Sequence, residues 1–202
     1  GWTAGMHTAN VEKSHAGGAS ARGAMARLVR SEVNCAHHAA TRLPPRHPMI
    51  LRRLYDDELA QASYLIGCEA TGQAIVVDPM LDVDRYFEAA RAEGVTVHDV
   101  TETHIHADFV SGARALARLA HAHLYLSGDG GPDWQYAMPS DDDAAPADVD
   151  RQPDRVTRLH DGDVIAVGAV RLTALHTPGH TPEHLSFLVT DTAVSEHPVG
   201  LL

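Results

Sequence analysis

Cysteine and long apolar segments are both scarce in this sequence. Only two of its 202 residues are cysteines, Cys35 and Cys68, which are too few for a disulfide framework and form no C-x-x-C zinc pattern. This scarcity is typical of proteins in a reducing compartment, and we expect a cytoplasmic protein. No apolar run approaches the roughly 20 residues that a membrane-spanning helix needs, so the sequence predicts no membrane partner.

Basic residues are also scarce beyond the first 48 positions. Residues 49–202 contain ten Lys and Arg against twenty-five Asp and Glu, whereas residues 1–48 contain six against two. A strongly acidic body repels phosphate groups, which excludes a non-specific nucleic-acid-binding function. Histidine, by contrast, is abundant, since fifteen are present, and this makes a bound metal worth considering.

The change of character at Pro48 and Met49 predicts a domain boundary. Residues 1–48 are rich in Ala, Gly, Arg, Ser and His and have few large apolar side chains, so we predict a disordered or artefactual N-terminal extension. Residues 21–33 within it have the composition of a short basic helix. An organellar targeting peptide and a genuine accessory element are the alternatives for this segment. Residues 49–202 form the predicted folded domain.

The pattern of apolar residues after Met49 predicts strands alternating with helices, which favours an α/β fold. An acidic segment rich in Ala and Pro, residues 139–153, is predicted to be a solvated loop. The predicted strands are residues 63–66, 74–77, 95–100, 124–126, 164–167, 170–174 and 185–189, and the predicted helices are residues 83–92 and 110–120.

The most informative stretch is Thr-His-Ile-His-Ala-Asp-Phe at residues 103–109, which follows a predicted buried strand. Because side chains alternate along an extended chain, His104 and His106 point to the same side and can share one metal ion. Asp108 continues that side if the extended conformation persists. Two histidines at this spacing are weak evidence for a metal site when they stand alone.

A second histidine motif strengthens the prediction. It is His-Thr-Pro-Gly-His-Thr at residues 176–181, about 75 residues downstream of the first. Pro178 and Gly179 favour a tight turn after a predicted strand, and His180 emerges from that turn. Two such motifs at strand ends predict a metal centre whose coordination sphere stays partly open for a substrate.

With both motifs in view, the chain resembles metallo-β-lactamase-fold proteins of the glyoxalase II and persulfide dioxygenase branch. Residues 64–73, 101–112 and 176–180 are most similar to a bacterial subgroup whose domain often precedes rhodanese modules. The resemblance covers most of the sequence after Met49. It implies an αββα sandwich, and it implies that a rhodanese domain can accompany this one in a longer parent protein.

The resemblance also implies roles for individual residues. His104, His106 and His180 correspond to metal ligands, although in mononuclear members one of the paired histidines can act without binding the ion directly. Asp108 corresponds to a ligand of the second metal in binuclear members; here we expect a catalytic residue that orients a group or accepts a proton. Phe109 stands where that second metal's histidine would be, and its ring cannot ligate. One ion is therefore expected rather than two.

A single ion with open positions, held by histidines and a carboxylate, is the arrangement of non-haem Fe(II) oxygenases. The resemblance therefore favours Fe(II) as the cofactor, and a persulfide dioxygenase that converts glutathione persulfide, or another small thiol persulfide, and O2 to sulfite and free thiol. Zinc is the alternative metal, in a thioester hydrolase of the glyoxalase II type. A third reading is an inactive fragment.

The relatives place a further metal-binding carboxylate after the strand that ends here near Val189, usually within a Thr-Gly-Asp stretch. The sequence reaches Leu202 without that stretch. We therefore expect residues 49–202 to be the N-terminal portion of the domain, truncated at its C-terminus, with part of the second half of the fold missing.

Other polar residues near the two motifs are expected to be mainly structural. His176 is expected to hydrogen-bond within its loop, and Asp78 to brace the loops around the site. His184 either supports its loop or lines the site. His121 and His123 repeat the H-x-H spacing, but no carboxylate follows them, which favours a surface position at a helix end.

Overall fold

The fold was obtained as a computed structural model, which describes residues 49–137, 153 and 155–202. The predictions for residues 1–48, and for the acidic segment up to residue 152, lie outside the described residues. The domain boundary at residue 49 and the nature of the N-terminal extension therefore stay predictions.

The first sheet has six strands in the order in which they occur along the chain. The first three strands form an antiparallel meander, and the remaining neighbours pair in parallel. Parallel pairing brings the carboxyl ends of adjacent strands to the same edge, where loops can meet. The six strands are β1 (Met49–Asp56), β2 (Gln61–Cys68), β3 (Gln73–Val77), β4 (Thr96–Thr101), β5 (His123–Ser127) and β6 (Val156–Leu159).

Two helices pack on one face of this sheet, α1 (Asp84–Glu93) and α2 (Ala113–Ala120). Their apolar faces bury Tyr86 and Leu116 completely against the strands. The prediction of a helix over residues 83–92 is confirmed, and Gly94 ends that helix in the left-handed conformation. None of the helices in the described part of the chain is long and apolar enough to cross a membrane.

The second helix begins at Ala113, three residues later than its periodicity predicts. The residues before it are held by the loop after β3 instead, because the Gly112 N–H donates to the Pro79 carbonyl at 2.7 Å and Ser111 forms a β-bridge with Met80. Tertiary contacts therefore outweigh helix propensity at this point and keep the motif loop out of the helix.

A second, antiparallel sheet packs against the other face of the first sheet. Its four strands, in the spatial order β10-β9-β8-β7, are β7 (Val164–Val167), β8 (Val170–His176), β9 (Leu185–Asp191) and β10 (Gly200–Leu201). Phe187 and Leu172 are fully buried between the two sheets. The prediction of an α/β fold is confirmed: a layer of helices packs on the first sheet, and the second sheet packs on the other face of that sheet. A second helical layer is not found among residues 49–137 and 155–202.

Candidate metal centre

The two histidine motifs meet at one end of the sandwich. The first lies in the loop that leaves β4 after Thr101, and the second lies in the loop between β8 and β9. Backbone hydrogen bonding joins these loops directly, since the Leu185 N–H donates to the Thr103 carbonyl at 2.7 Å. The parallel strand β4 and the antiparallel pair β8–β9 thus position the motifs from two different sheets.

The imidazole rings of the three predicted ligands lie side by side. The ring centroid of His104 is 4.2 Å from that of His106 and 4.7 Å from that of His180. A fourth ring, that of His184, stacks against His104 with a centroid separation of 5.1 Å. The structure therefore brings together His104, His106 and His180, and adds His184, which the sequence left between a structural role and a site role.

Asp78, directly after β3, holds the two histidines of the first motif. Its carboxylate accepts hydrogen bonds from the Thr103 N–H at 2.6 Å and from the Thr103 hydroxyl at 2.9 Å, and it pairs with His106 Nε2 at 3.2 Å. Asp78 also has a backbone φ of +51°, a conformation that is uncommon for a residue other than glycine. The expected bracing role of Asp78 is thus visible in its contacts.

These hydrogen bonds assign the ring nitrogens of both histidines of the first motif. The Thr103 hydroxyl donates to Asp78, so it accepts from His104 Nδ1, which lies 2.9 Å away. The neutral His104 ring then carries its proton on Nδ1 and leaves the lone pair of Nε2 available. By the same logic His106 donates from Nε2 to Asp78 and leaves Nδ1 available in its neutral form.

The electrostatic surroundings of the two rings differ. Burial and the neighbouring His106 lower the pKa of His104 to about 4, so this ring is neutral at pH 7. Burial alone would lower the pKa of His106 as well, but the hydrogen bond and the negative charge of Asp78 outweigh it and raise that pKa. An anionic partner of this kind makes an imidazole a stronger metal ligand.

The donor chemistry fits a divalent metal ion such as zinc or iron. Neutral imidazoles with oriented lone pairs suit zinc and iron, and the side chain of His106 is only 2% exposed. Within the described residues no three His, Cys, Asp or Glu side chains already have the interatomic distances of a closed site. The rings contact one another instead.

Asp108 and Phe109 border the histidines on the solvent side. The Asp108 side chain is 70% exposed, with one carboxylate oxygen 4.0 Å from His106 Nδ1, the nitrogen that is left available. The ring of Phe109 packs on His106 with a centroid separation of 4.3 Å. An apolar ring therefore occupies the position next to Asp108, and an exposed carboxylate faces His106.

Glu183 is a site residue that sequence reasoning missed. It is fully buried, and its Oε1 accepts a hydrogen bond of 2.7 Å from the backbone N–H of Ile105, between the two histidines of the first motif. Gly130 lies so close to the backbone of Glu183 that a side chain there would clash. The sequence does show a carboxylate in the loop that contains the second motif. Its hydrogen-bond partner, however, is 78 residues away, and residue spacing cannot reveal a pairing over that distance.

The other histidines near the motifs have local partners. The ring nitrogen Nε2 of His176 lies 2.8 Å from the Pro182 carbonyl oxygen, and the backbone N–H of His176 donates to the Asp161 carboxylate. These contacts fit the loop-supporting role that the sequence predicts for His176. His123 Nδ1 accepts from Arg155 at 2.8 Å, and Nε2 contacts the Thr157 hydroxyl at 2.7 Å. Both ring nitrogens of His123 are therefore engaged away from the metal centre.

Comparison with known proteins agrees with this architecture. A hydroxyacylglutathione hydrolase of Polaromonas is 33% identical over 139 residues, which are 68% of this chain and 46% of the relative. The mitochondrial persulfide dioxygenase ETHE1 of Bos taurus is 26% identical over 149 residues, 73% of this chain and 51% of the relative. The chain thus spans about half the length of the curated relatives it matches.

A solved structure and a family model complete the assignment. The crystal structure of a metallo-beta-lactamase from Staphylococcus aureus superposes with a TM-score of 0.65 at 41% identity, covering 76% of this chain and 42% of that one. The family model for the metallo-beta-lactamase superfamily matches residues 56–194, which include both histidine motifs and most of both sheets. The chain belongs to the metallo-beta-lactamase superfamily.

Proposed function

We propose that this chain carries the metal centre of a cytoplasmic persulfide dioxygenase that uses one Fe(II) ion. The observation that carries the proposal is the packing of Phe109 on His106 at 4.3 Å. An apolar ring there favours one ion over two, because it fills a position at which a second ion would need a ligand. A mononuclear centre with open positions suits oxygen chemistry better than the binuclear chemistry of zinc hydrolases.

The residues of this chain would share the work as follows. His104, His106 and His180 would hold the ion through their available ring nitrogens. Asp78, directly and through Thr103, would keep His106 and His104 in the required tautomers. The chemistry that Fe(II) supplies in such a centre is the oxidation of the outer sulfur of a persulfide by O2, with water providing the third oxygen atom, to give sulfite and the free thiol.

Asp108 and Phe109 would control what reaches the centre. The exposed Asp108 carboxylate lies 4.0 Å from His106 Nδ1, close enough to orient a polar group or to accept a proton beside it. The Phe109 ring would exclude water from the face of His106 on which it packs. Glutathione persulfide or a similar small thiol persulfide is the proposed substrate class.

The second candidate function is zinc-dependent hydrolysis of a thioester such as S-lactoylglutathione. Asp108 favours it, because an exposed carboxylate beside the histidines could accept the proton of an attacking water molecule. The relative of Polaromonas, named a hydroxyacylglutathione hydrolase, points the same way. Phe109 argues against this candidate.

The test compares the protein loaded anaerobically with iron against the same protein loaded with zinc. We expect O2 uptake with glutathione persulfide only in the iron form, lost in His104→Ala and in His180→Ala and retained in His197→Ala, which alters an exposed histidine. Hydrolysis of S-lactoylglutathione by the zinc form without O2 uptake would establish the alternative. Neither activity, together with no bound metal, would establish a non-catalytic fragment.

A further inference from the structure

A cavity of about 500 Å³ opens beside the histidines, on the side of His106 and Phe109. The motif loop, the start of α2, the end of β5 and residues 135–137 enclose it. Its volume lies within the range of sites that bind small molecules. We call it the side cavity; none of the roles described above for the metal centre uses it.

Two polar atoms at the side cavity are buried and have no hydrogen-bond partner. They are Glu102 Oε1 and the hydroxyl oxygen of Tyr136, and both residues line the cavity. The Glu102 residue is 4% exposed. A buried carboxyl oxygen without a donor is unfavourable, and folded proteins rarely leave such atoms unpaired. Because both atoms have almost no accessible surface, a ligand with hydrogen-bond donors would satisfy them only after the two side chains turn toward the cavity that they line.

The remaining walls restrict the shape and charge of that ligand. Arg114, in the first turn of α2, brings a guanidinium group to the cavity and is solvent-exposed. Phe109 and Leu126 supply apolar walls between the polar ends. An ammonium group suits the acceptor oxygens of Glu102 and Tyr136, and a carboxylate suits Arg114. The lining therefore matches a zwitterion with a short apolar stem.

We propose that the side cavity binds the α-amino acid end of a cysteine-sized thiol. The ammonium group donates to Glu102 and Tyr136, the carboxylate accepts from Arg114, and the stem lies along Phe109 so that the sulfur faces His106. This inference rests on the proposed function only in naming sulfur as the reacting atom. Recognition of the amino acid end needs no metal.

The test measures binding to the metal-free full chain by titration calorimetry. The probes are S-methyl-L-cysteine and 3-(methylthio)propanoic acid, which differ by the amino group and carry no free thiol. We expect the amino acid to bind at least about tenfold more tightly, because its ammonium group pairs with a buried carboxyl group. Glu102→Gln should abolish that preference, whereas Glu88→Gln, on the exposed face of α1, should retain it.

Two further variants protect the test against misfolding. Tyr136→Phe removes only a hydroxyl and should reduce the preference severalfold, while Arg114→Gln should weaken both probes because both carry a carboxylate. Equal affinity for the two probes, no binding of either, or an unchanged preference in Glu102→Gln and Tyr136→Phe would overturn the inference. The calorimetry uses metal-free protein, so its result is independent of whether the iron-loaded protein takes up O2 with persulfides. Failure of this inference and failure of the proposed function can therefore be distinguished.

Discussion

At the scale of single residues, Asp78 is the organising group of the centre. Through Thr103 and through His106, its two carboxylate oxygens orient both histidines of the first motif. Because the carboxylate acts through Thr103 on one ring and directly on the other, a single substitution disturbs two ligands at once. Its uncommon backbone conformation is retained by the same contacts.

We expect Asp78→Asn to weaken metal binding by about 10- to 100-fold, since partners behind metal ligands typically contribute this much. The amide keeps the shape of the side chain but loses the negative charge that raises the pKa of His106. Competition of zinc against a chromophoric chelator measures the change. Asp82→Asn is the matched control, because that carboxylate is 66% exposed and pairs with Arg85 instead; equal losses in the two variants would refute the assigned role.

Phe109 is the second residue with a decisive role at this scale. We expect Phe109→His to raise the zinc content from one toward two ions per chain, because it adds an imidazole next to the exposed Asp108 carboxylate. Phe109→Leu should remain at one ion. Elemental analysis after dialysis gives the stoichiometry, and a second ion bound by the wild type would contradict the assignment of Phe109.

The convergence of the two histidine motifs was largely predictable from the sequence, but the residues that support them were not. His104, His106 and His180 occur in two compact motifs, so residue spacing alone indicated that they could converge. Glu183 meets Ile105 across 78 residues, and this pairing depends on how the two sheets stack. The ring of His184 joins the site for the same reason.

At the scale of secondary structure elements, the centre depends on the junction between the motif loop and the loop after β3. Gly112 allows this junction, because a β-carbon at that position would collide with the carbonyl group of Met80. The neighbouring hydrogen bond from Gly112 to Pro79, at 2.7 Å, leaves the backbone little room to move. The collision is steric, since the backbone φ of Gly112 is an ordinary −89°.

We expect Gly112→Ala to lower the free energy of unfolding by about 1–3 kcal/mol, as for other overpacked sites. Metal affinity should fall with it, because the motif loop must shift. Gly200→Ala is the control, since a β-carbon there meets no atom within 4 Å. Urea denaturation compares the two variants, and a Gly112→Ala protein as stable as Gly200→Ala would show that the junction is not tightly packed.

The pattern of apolar residues did not predict three of the strands, because these strands form through pairing with their neighbours. β1 is an edge strand with several exposed side chains, so its apolar alternation is weak, and its extended form follows from eight paired residues on β2. β6 and β10 have only four and two residues. Such short segments become strands through pairing with β5 and β9, which local sequence does not reveal.

At the scale of the whole molecule, two stacked sheets divide the chain into a helix-facing core and an inter-sheet core. Charge placement on this framework affects its stability. Asp99, on β4, is half-buried beside Tyr125, and burial raises its pKa to about 6. The folded state therefore binds a proton at Asp99 more tightly than the unfolded chain does.

This difference in proton affinity determines how the stability of the folded state changes with pH. The stabilisation from protonated Asp99 is fully present below about pH 4 and is lost as the pH rises through about 6. We expect Asp99→Asn, which stays neutral, to gain roughly 1–2 kcal/mol over the wild type between pH 4 and pH 8, after discounting for partial exposure. Denaturant titrations of both proteins at the two pH values measure it; a constant difference would show that Asp99 does not titrate in this range.

The central claim is the proposal that three histidines from two sheets hold one metal ion. Its most direct measurement is the metal content per chain after loading with Fe(II) or zinc and removal of excess. The account predicts one tightly bound ion in the wild type, and loss of that ion in His104→Ala, His106→Ala and His180→Ala. Two bound ions, or one ion that persists in all three variants, would contradict it.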